Sequence, residues 1–292
     1  MNPKFLNKMN LLYHYTSALG LLGMLNNYTS DTPNITMWAT NALYMNDPSE
    51  FRLGQYVFHT ILPDIEEELK IPETDKLSIA AKTKIQEGIL NKLEIGGSAR
   101  VETINQGIAY VLSLSQERDI LPMWRMYAQN GNGLAIVFDK DMLADLYKDN
   151  LKECLYVTKG DYNKFKEIVK GEYLQYKKNN YFLKLSNPYI QLIFITHLYH
   201  RFCAYLKADA YAYEKEVRLK ATTADKILYR EKDGLIIPYV TIQIPINCIK
   251  EIIIGPTADP MRMEMSISMY LQSKDIDVSQ IKISHSNIPY RG

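Results

Sequence analysis

The segment from residue 214 to residue 218 contains the densest group of side chains that could carry chemistry. It reads Glu214-Lys215-Glu216-Val217-Arg218. If this segment is a strand, Glu214, Glu216 and Arg218 project from one face, because side chains alternate between the two faces. Paired carboxyl groups tend to raise the pKa of one of them, whereas a neighbouring guanidinium keeps a carboxylate ionised. The pattern predicts a surface for acid–base or charge-stabilising chemistry, with an edge strand of solvated charges as the alternative.

A second candidate is His14, which lies in the segment Leu12-Tyr13-His14-Tyr15-Thr16. On a strand, His14 projects to the face opposite Tyr13 and Tyr15, so one imidazole reaches whatever that face lines. A histidine on a short strand is more often a structural hydrogen-bonding residue than a ligand contact. Its functional interpretation therefore depends on the other polar clusters, because sites are usually assembled from separated parts of a chain.

The third cluster runs from residue 44 to residue 50. It contains Tyr44 and Asn46, followed by the run Asp-Pro-Ser-Glu. That run is typical of a helix start, with proline in the first turn and acidic groups near the positive end of the helix. A helix start explains the presence of Tyr44 and Asn46 less well. An aromatic ring beside an amide suits a planar ligand held by stacking and hydrogen bonds.

A fourth cluster combines Trp124 and Arg125 with the turn Gly131-Asn132-Gly133. Arg125 could contact a phosphate, and the turn allows close backbone approach, although Gly-x-Gly is most often simply a turn. The three cysteines are widely spaced, and the sequence contains no Cys-x-x-Cys, His-Glu-x-x-His, Walker or Rossmann motif. We therefore predict no metal site.

These clusters must be positioned by a sheet of about seven or eight strands. Apolar or alternating segments predict strands at residues 11–15, 36–40, 108–115, 134–138, 216–220, 227–230, 235–244 and 249–254, with 281–284 as a candidate edge strand. Residues 232–234 are a hairpin signal. Helices are predicted after a cap at Thr16 or Ser17, from Asp119, from Asp139 and over residues 261–271. Because the helices separate groups of strands, we predict an α+β fold with a mixed, mainly antiparallel central sheet.

The length of the chain allows one large domain. It has 292 residues, of which 47% are hydrophobic, and this is enough for a core with additional insertions. Apolar residues recur at a spacing of four at Leu77, Ala81, Ile85 and Ile89, which predicts helix. We therefore predict a single domain over residues 1–292, with helical insertions at about 55–97 and 160–208.

Composition narrows the classes of partner. The formal charge is +1, from 34 basic and 33 acidic residues, so no global field attracts nucleic acid or an anionic membrane. No apolar run reaches the roughly 20 residues of a membrane helix, and the first residues lack the apolar stretch of a signal peptide. We expect a cytoplasmic protein with reduced thiols and no membrane partner.

The chain resembles a bacterial family catalogued as domain of unknown function 2971, over nearly its whole length. The resemblance rests on motifs in a common order: residues 12–16, Trp38 with residues 46–50, Trp124-Arg125 with the glycine turn, residues 214–218, and residues 252–256. This family is named for the lack of a known function, so the resemblance implies no activity.

A weaker resemblance is to the ADP-ribosyltransferase fold, in which a histidine, an aromatic residue and a glutamate on separate strands surround NAD. It implies a split central sheet, with His14 contacting the ribose and nicotinamide region. Tyr44 is the nearest match to the stacking aromatic, although it follows the strand. Glu216 matches the catalytic glutamate, with Glu214 as the fallback. His14 should then face the same cavity as Glu216 and lie near Tyr44 or Asn46.

The same resemblance implies NAD as substrate and a carboxylate that stabilises the oxocarbenium character formed when the nicotinamide bond breaks. Arg125 or Arg218 would hold the pyrophosphate. The side chains expected to bind NAD are His14, Tyr15, Thr16, Tyr44, Asn46, Arg125 and Arg218. The acceptor could be protein, nucleic acid or water, and the enzyme a toxin or defence effector. Alternatives are a non-catalytic nucleotide-binding or interaction module and a metal-dependent phosphodiesterase.

Overall fold

The computed structural model describes residues 10–45, 50–79, 109–178, 191, 194–195, 198, 201–221, 226–232 and 234–290. The chain divides into two compact units. The first unit comprises Met1–Thr40, Val111–Glu153 and Tyr213–Gly292, and the second comprises Asn41–Tyr110 and Cys154–Ala212. The predicted insertions at 55–97 and 160–208 fall within the two segments of the second unit, although residues 80–97 and 179–190 lie outside the described residues.

The described strands are numbered in chain order. They are β1 (Leu11–Thr16), β2 (Asn34–Asn41), β3 (Tyr110–Ser115), β4 (Leu134–Asp139), β5 (Leu151–Glu153), β6 (Leu155–Val157), β7 (Leu206–Ala208), β8 (Glu216–Lys220), β9 (Leu228–Lys232), β10 (Leu235–Pro245), β11 (Ile249–Ile254) and β12 (Lys282–His285). The first unit is built on a ten-stranded open sheet of order β12-β11-β4-β1-β3-β2-β10-β9, with β8 between β3 and β5. Its pairs are mainly antiparallel, and β12 runs parallel to β11. The predicted α+β class with a mainly antiparallel sheet is confirmed.

The helices of the described residues are also numbered in chain order. They are α1 (Ala18–Met24), α2 (Glu50–Glu68), α3 (Leu121–Tyr127), α4 (Lys140–Tyr147), α5 (Asn163–Lys178) and α6 (Pro260–Ser273). Ser17 caps α1, since its side chain accepts from the amide of Gly20 at 3.0 Å. Asp139 caps α4 as predicted, because its carboxylate accepts from two amides of the first turn. These side chains satisfy donors that the helix itself leaves unpaired.

The core of the first unit lies on both faces of β4. This strand reads Leu-Ala-Ile-Val-Phe-Asp, its first five residues are buried, and it pairs with β1 and β11. A continuous apolar run is expected where both faces of a strand are covered. Helix α3 covers one face, where it packs on the side chains of Tyr13, Tyr15, Ala135, Val137 and Ile253.

The second unit is mainly helical and has its own core. Helices α2 and α5 contribute buried apolar side chains, among them Phe58, Leu62, Ile65, Phe165 and Val169. The short strands β6 and β7 pair in parallel in this unit. None of the helices in the described part of the chain combines the length and the apolar character that a membrane span requires.

Two local predictions need correction. The strands β5, β6 and β7 are not predicted from the sequence, because three residues carry too little periodicity to indicate a strand. Helix α3 begins at Leu121 and not at Asp119. The Asp119 carboxylate accepts instead from Trp124 Nε1 at 2.6 Å and from the amide of Asn287 at 2.8 Å.

Candidate functional site

The sheet opens at β3, and this opening positions the candidate site. One edge of β3 pairs with β8 through residues 111–115, and β1 and β2 are also neighbours of β3. A strand has only two edges for pairing, so β1 and β2 share the second edge. The register of β1 with β3 contains the single pair Tyr13 with Ser115. The strands β1 and β2 therefore diverge, and His14 lies where they part.

His14 projects from β1 on the face opposite Tyr13 and Tyr15. Its Nδ1 atom lies 3.0 Å from the carbonyl oxygen of Ser113. A carbonyl oxygen only accepts hydrogen bonds, so Nδ1 carries the proton and Nε2 of the neutral ring is an acceptor. No residue in the described part of the chain bonds to Nε2. The Ser113 carbonyl therefore orients the imidazole, and the lone pair of Nε2 points away from this carbonyl.

Helix α1 connects this face of β1 to β2. A Cβ atom at Gly20 would lie 2.1 Å from Oγ1 of Thr16, so the first turn of α1 packs directly on Thr16. A Cβ atom at Gly23 would lie 3.6 Å from the ring of Trp38, which belongs to β2. Thr16 and His14 project from the same face of β1. The helix thus lies against that face and beside Trp38, which is 37% exposed.

The hairpin of β9 and β10 adds a cation to this face. Arg230 Nη2 donates to Thr40 Oγ1 at 2.8 Å. The guanidinium carbon lies 5.1 Å from the centre of the Trp38 ring and 5.7 Å from that of Tyr239. The two rings are themselves in contact, with centroids 4.9 Å apart. We call the set His14, Trp38, Thr40, Arg230 and Tyr239 the His14 face.

Electrostatics keep the imidazole of the His14 face neutral. Burial lowers the pKa of His14, the bond to the Ser113 carbonyl partly offsets this, and the positive charge of Arg230 lowers the pKa further. Burial also lowers the pKa of Arg230, although a guanidinium stays protonated in proteins. The His14 face therefore combines a neutral acceptor, a permanent cation and an aromatic surface.

Glu216 and Arg218 share a face of β8, as predicted, and bind each other there. Arg218 Nε donates to Glu216 Oε1 at 2.8 Å, and Arg218 Nη2 donates to Glu216 Oε2 at 3.0 Å. The Arg218 side chain is 1% exposed and the Glu216 side chain is 5% exposed. The alternative of solvated charges on an edge strand is wrong, because β8 is flanked by β3 and β5.

Glu214 does not belong to this strand, so its predicted alternation with Glu216 is wrong. Lys215 has φ 40°, in the left-handed region, and this residue separates a 3-10 turn (Asp209–Glu214) from β8. The Glu214 carboxylate is buried and accepts from the Tyr127 hydroxyl at 2.9 Å. Glu214 therefore lies beneath α3.

The strand register separates His14 from Glu216. Tyr13 pairs with Ser115, and Ser115 pairs with Glu216. Directly paired residues project to the same face of a sheet, so Glu216 shares the face of Tyr13, which α3 covers. His14 projects to the other face. The expectation that His14 and Glu216 face one cavity is therefore wrong.

The other predicted ligand contacts of the first unit divide in the same way. Tyr15 packs edge-on against Trp124 with centroids 4.9 Å apart, and its hydroxyl donates to the carbonyl of Glu117 at 2.9 Å. Arg125 is exposed on α3. Tyr15, Arg125 and Arg218 thus belong to the α3 side of the sheet, and Thr16 lies on the other side, against α1.

The remaining predicted contacts lie elsewhere in the chain. Tyr44 is exposed in a 3-10 turn (Ala42–Tyr44) of the second unit. Asn46 lies outside the described residues. The proposed proximity of His14 to Tyr44 or Asn46 stays a prediction.

Four side chains of the His14 face were not predicted from the sequence. Trp38 is quoted only as part of a family pattern, and Thr40, Arg230 and Tyr239 are not singled out. A signal for them is present: Lys232 pairs with Leu235 across the hairpin, and this register places Arg230 beside Ile237, one step from Tyr239 on the same face. The pairing of β10 with β2 then brings Tyr239 opposite Thr40.

Among the described residues, no group of three or more histidine, cysteine or acidic side chains is arranged to hold a metal ion. No curated protein and no solved structure shows a significant match to the chain. A family model described as "Protein of unknown function (DUF2971)" matches residues 123–219, which run from α3 through β8. This match supports, over that segment, the resemblance to the DUF2971 family that the sequence motifs indicate.

Proposed function

We propose that the first unit binds a ribonucleotide at the His14 face, with NAD as the ligand that the sequence resemblance implies. The observation that carries this proposal is the orientation of His14. Its Nδ1 atom is held by the Ser113 carbonyl, so Nε2 is directed to accept from a ligand. Sugar hydroxyl groups are donors of this kind, and a neutral imidazole binds them without an added charge.

The aromatic residues of the His14 face support the same proposal. Trp38 is partly exposed and touches Tyr239. An indole ring offers a large apolar surface on which a planar base or nicotinamide ring stacks. Binding sites commonly combine such apolar walls with a few oriented polar groups.

ADP-ribosyl transfer, to a protein, nucleic acid or water acceptor, is the second candidate function. The observation that favours it is the order of β1, α1 and β2 around His14, with the sheet opening between the two strands. We propose that this opening corresponds to the split sheet of the ADP-ribosyltransferase fold. Glu216 counts against transfer, because it is paired with Arg218 on the opposite face. Binding is therefore the better supported function.

The binding proposal is tested by calorimetric titration of the protein with NAD. In His14→Asn, the side-chain amide still donates towards the Ser113 carbonyl, but the Nε2 acceptor is lost. We expect this variant to stay folded and to bind NAD about tenfold more weakly, the equivalent of one hydrogen bond. Unchanged affinity in His14→Asn would contradict the proposal.

The same titration has an expected pH dependence. Because the pKa of His14 is lowered, the imidazole stays neutral at physiological pH. Acidification converts Nε2 from an acceptor to a donor and places a second positive charge near Arg230. The NAD affinity of the wild type should fall only as the pH drops below the ordinary histidine pKa of about 6.5, and that of His14→Asn should change less.

The two candidate functions are separated by measuring nicotinamide release during long incubation with NAD. Binding without release supports a non-catalytic module. Release that is abolished in a folded Glu216→Gln variant would establish transfer or hydrolysis and would show that the Glu216–Arg218 pair rearranges.

A further inference from the structure

Arg230 carries a partly buried positive charge that no carboxylate of the described residues neutralises. Its hydrogen-bond partner is the Thr40 hydroxyl, and its other contacts are the rings of Trp38 and Tyr239. The Nε atom is buried and has no acceptor. The positive charge instead acts on His14, a neighbour that remains neutral.

Other partly or fully buried arginines of the first unit are neutralised. Arg218 binds the Glu216 carboxylate through two nitrogens. Arg118 does the same with Glu251, at 2.6 and 2.9 Å. Removing a cation from water is unfavourable unless a counter-charge replaces the lost hydration. Arg230 departs from this pattern. Its charge is partly buried without a carboxylate of the described residues, and this burial lowers its pKa.

We propose that Arg230 is an anion subsite that binds a phosphate group of the ligand. Thr40 and the two aromatic rings hold the guanidinium in one orientation before any ligand arrives. Such preorganisation leaves less side-chain entropy to lose on binding, and the planar guanidinium matches the oxygens of a phosphate. The ring of Trp38 lies beside the same guanidinium, so base stacking and phosphate binding are adjacent.

For the identity of the ligand, this inference rests on the proposed nucleotide function. The class it defines is a phosphate-bearing compound with a hydroxyl donor for His14. Pyrophosphate alone should therefore bind through Arg230, and a nucleoside without phosphate should bind independently of Arg230.

Trp38 provides the signal for the test. The chain has two tryptophans, and Trp124 is fully buried, so a change in fluorescence on adding inorganic pyrophosphate is assigned to Trp38. Trp38→Phe should abolish this change. Arg230→Gln should weaken pyrophosphate binding about tenfold or more, and Arg230→Lys should weaken it less, because a lysine keeps the charge and loses the planar group.

The matched control is Arg262→Gln, which removes the same charge from an arginine whose side chain is 89% exposed on α6. Its pyrophosphate affinity should equal that of the wild type. Folding of each variant is checked by circular dichroism and thermal unfolding, and if Arg230→Gln does not fold, Arg230→Lys decides the result. The inference is overturned if the wild type does not bind pyrophosphate. It is also overturned if the folded Arg230 variant binds pyrophosphate as tightly as the wild type does.

Parallel titrations with NAD, ADP and adenosine separate this inference from the proposed function. If NAD and adenosine bind equally well to wild type and Arg230→Gln, the subsite is wrong and nucleotide binding survives. If pyrophosphate binds through Arg230 but neither NAD nor adenosine binds, the site takes free phosphate compounds, and the proposed nucleotide function fails.

Discussion

Glu216 and Arg218 show how two charged residues become part of a core. Both side chains are almost fully buried and joined by two hydrogen bonds. Taking either charge out of water is unfavourable by itself, and the partner restores part of the lost hydration. In this geometry the Glu216 carboxylate is occupied by its neighbour. A structural role for the pair therefore accounts for its position better than a catalytic one.

Replacing one member of this pair should destabilise the protein. We expect Glu216→Gln to lower the free energy of unfolding by about 3–5 kcal/mol, because it removes the carboxylate that accepts from two nitrogens of the buried Arg218. The double variant Glu216→Gln with Arg218→Met should recover part of this loss. Denaturant unfolding followed by circular dichroism measures both.

Glu264→Gln is the control for that experiment, because the Glu264 carboxylate is exposed and lies 3.2 Å from Nε2 of His285. It should change stability by less than about 0.5 kcal/mol. A Glu216→Gln protein as stable as the control would refute the structural role.

At the scale of elements, glycines join the loop after β11 to the turn before β4. The Gly255 amide donates to the Gly133 carbonyl at 2.9 Å. A Cβ atom at Gly255 would lie 2.2 Å from the carbonyl oxygen of Gly131, and one at Gly133 would lie 2.3 Å from that of Thr16. The close backbone approach predicted for the Gly131–Gly133 turn is thus made to other parts of the chain.

Substituting alanine at Gly255 should therefore be unfavourable. The added methyl group displaces backbone, and we expect a loss of about 1–3 kcal/mol in the free energy of unfolding. Gly171→Ala is the matched substitution, since Gly171 lies within α5 and a Cβ atom there meets nothing within 4 Å. It should stabilise the second unit by about 0.5–1 kcal/mol. Thermal unfolding of both variants tests the contrast, and equal shifts would contradict it.

At the scale of the whole molecule, the two units carry buried carboxyl groups of opposite character. In the first unit, Glu251 accepts from Arg118 and Ser284, and despite burial these bonds lower the pKa of Glu251 to about 2. In the second unit, Glu66 accepts from Ser78 and Tyr173, but burial raises its pKa. Folding therefore favours the carboxylate form of Glu251 and shifts the balance of Glu66 towards its protonated form.

The units should therefore respond to pH in opposite directions. The stabilisation from Glu251 is complete above the ordinary glutamate pKa and is lost as the pH falls towards about 2. The stabilisation from protonated Glu66 is complete below the ordinary glutamate pKa and is lost as the pH rises through the raised value. Hydrogen exchange of each unit measures these trends.

Two variants test whether Glu251 and Glu66 cause these pH dependences of stability. Glu251→Gln should remove the loss of stability at falling pH in the first unit, and Glu66→Gln should flatten the loss at rising pH in the second. The other unit should keep its own pH profile in each case. If the same change of pH destabilised both units of the wild-type protein, this assignment would be contradicted.

Much of the fold could be predicted because its signals are local. The strand at 216–220, the hairpin at 232–234 and the cap at Asp139 depend on alternation, turn chemistry and side-chain capping within a few residues. The candidate site was predicted only in part. His14 was recognised, but Trp38, Arg230 and Tyr239 were not, because they come together through the pairing of β2, β9 and β10, far apart in the chain.

The sequence by itself determined most of the strands and helices, the α+β class and the direction of the His14 side chain relative to Tyr13 and Tyr15. Only the tertiary structure decided that Glu216 lies on the other face of the sheet and that the charge of Arg230 acts on His14. The physical reason is register. A shift of one residue in a strand pair moves every side chain to the opposite face, and the residues that define this register, such as Tyr13 and Ser115, lie far apart in the chain.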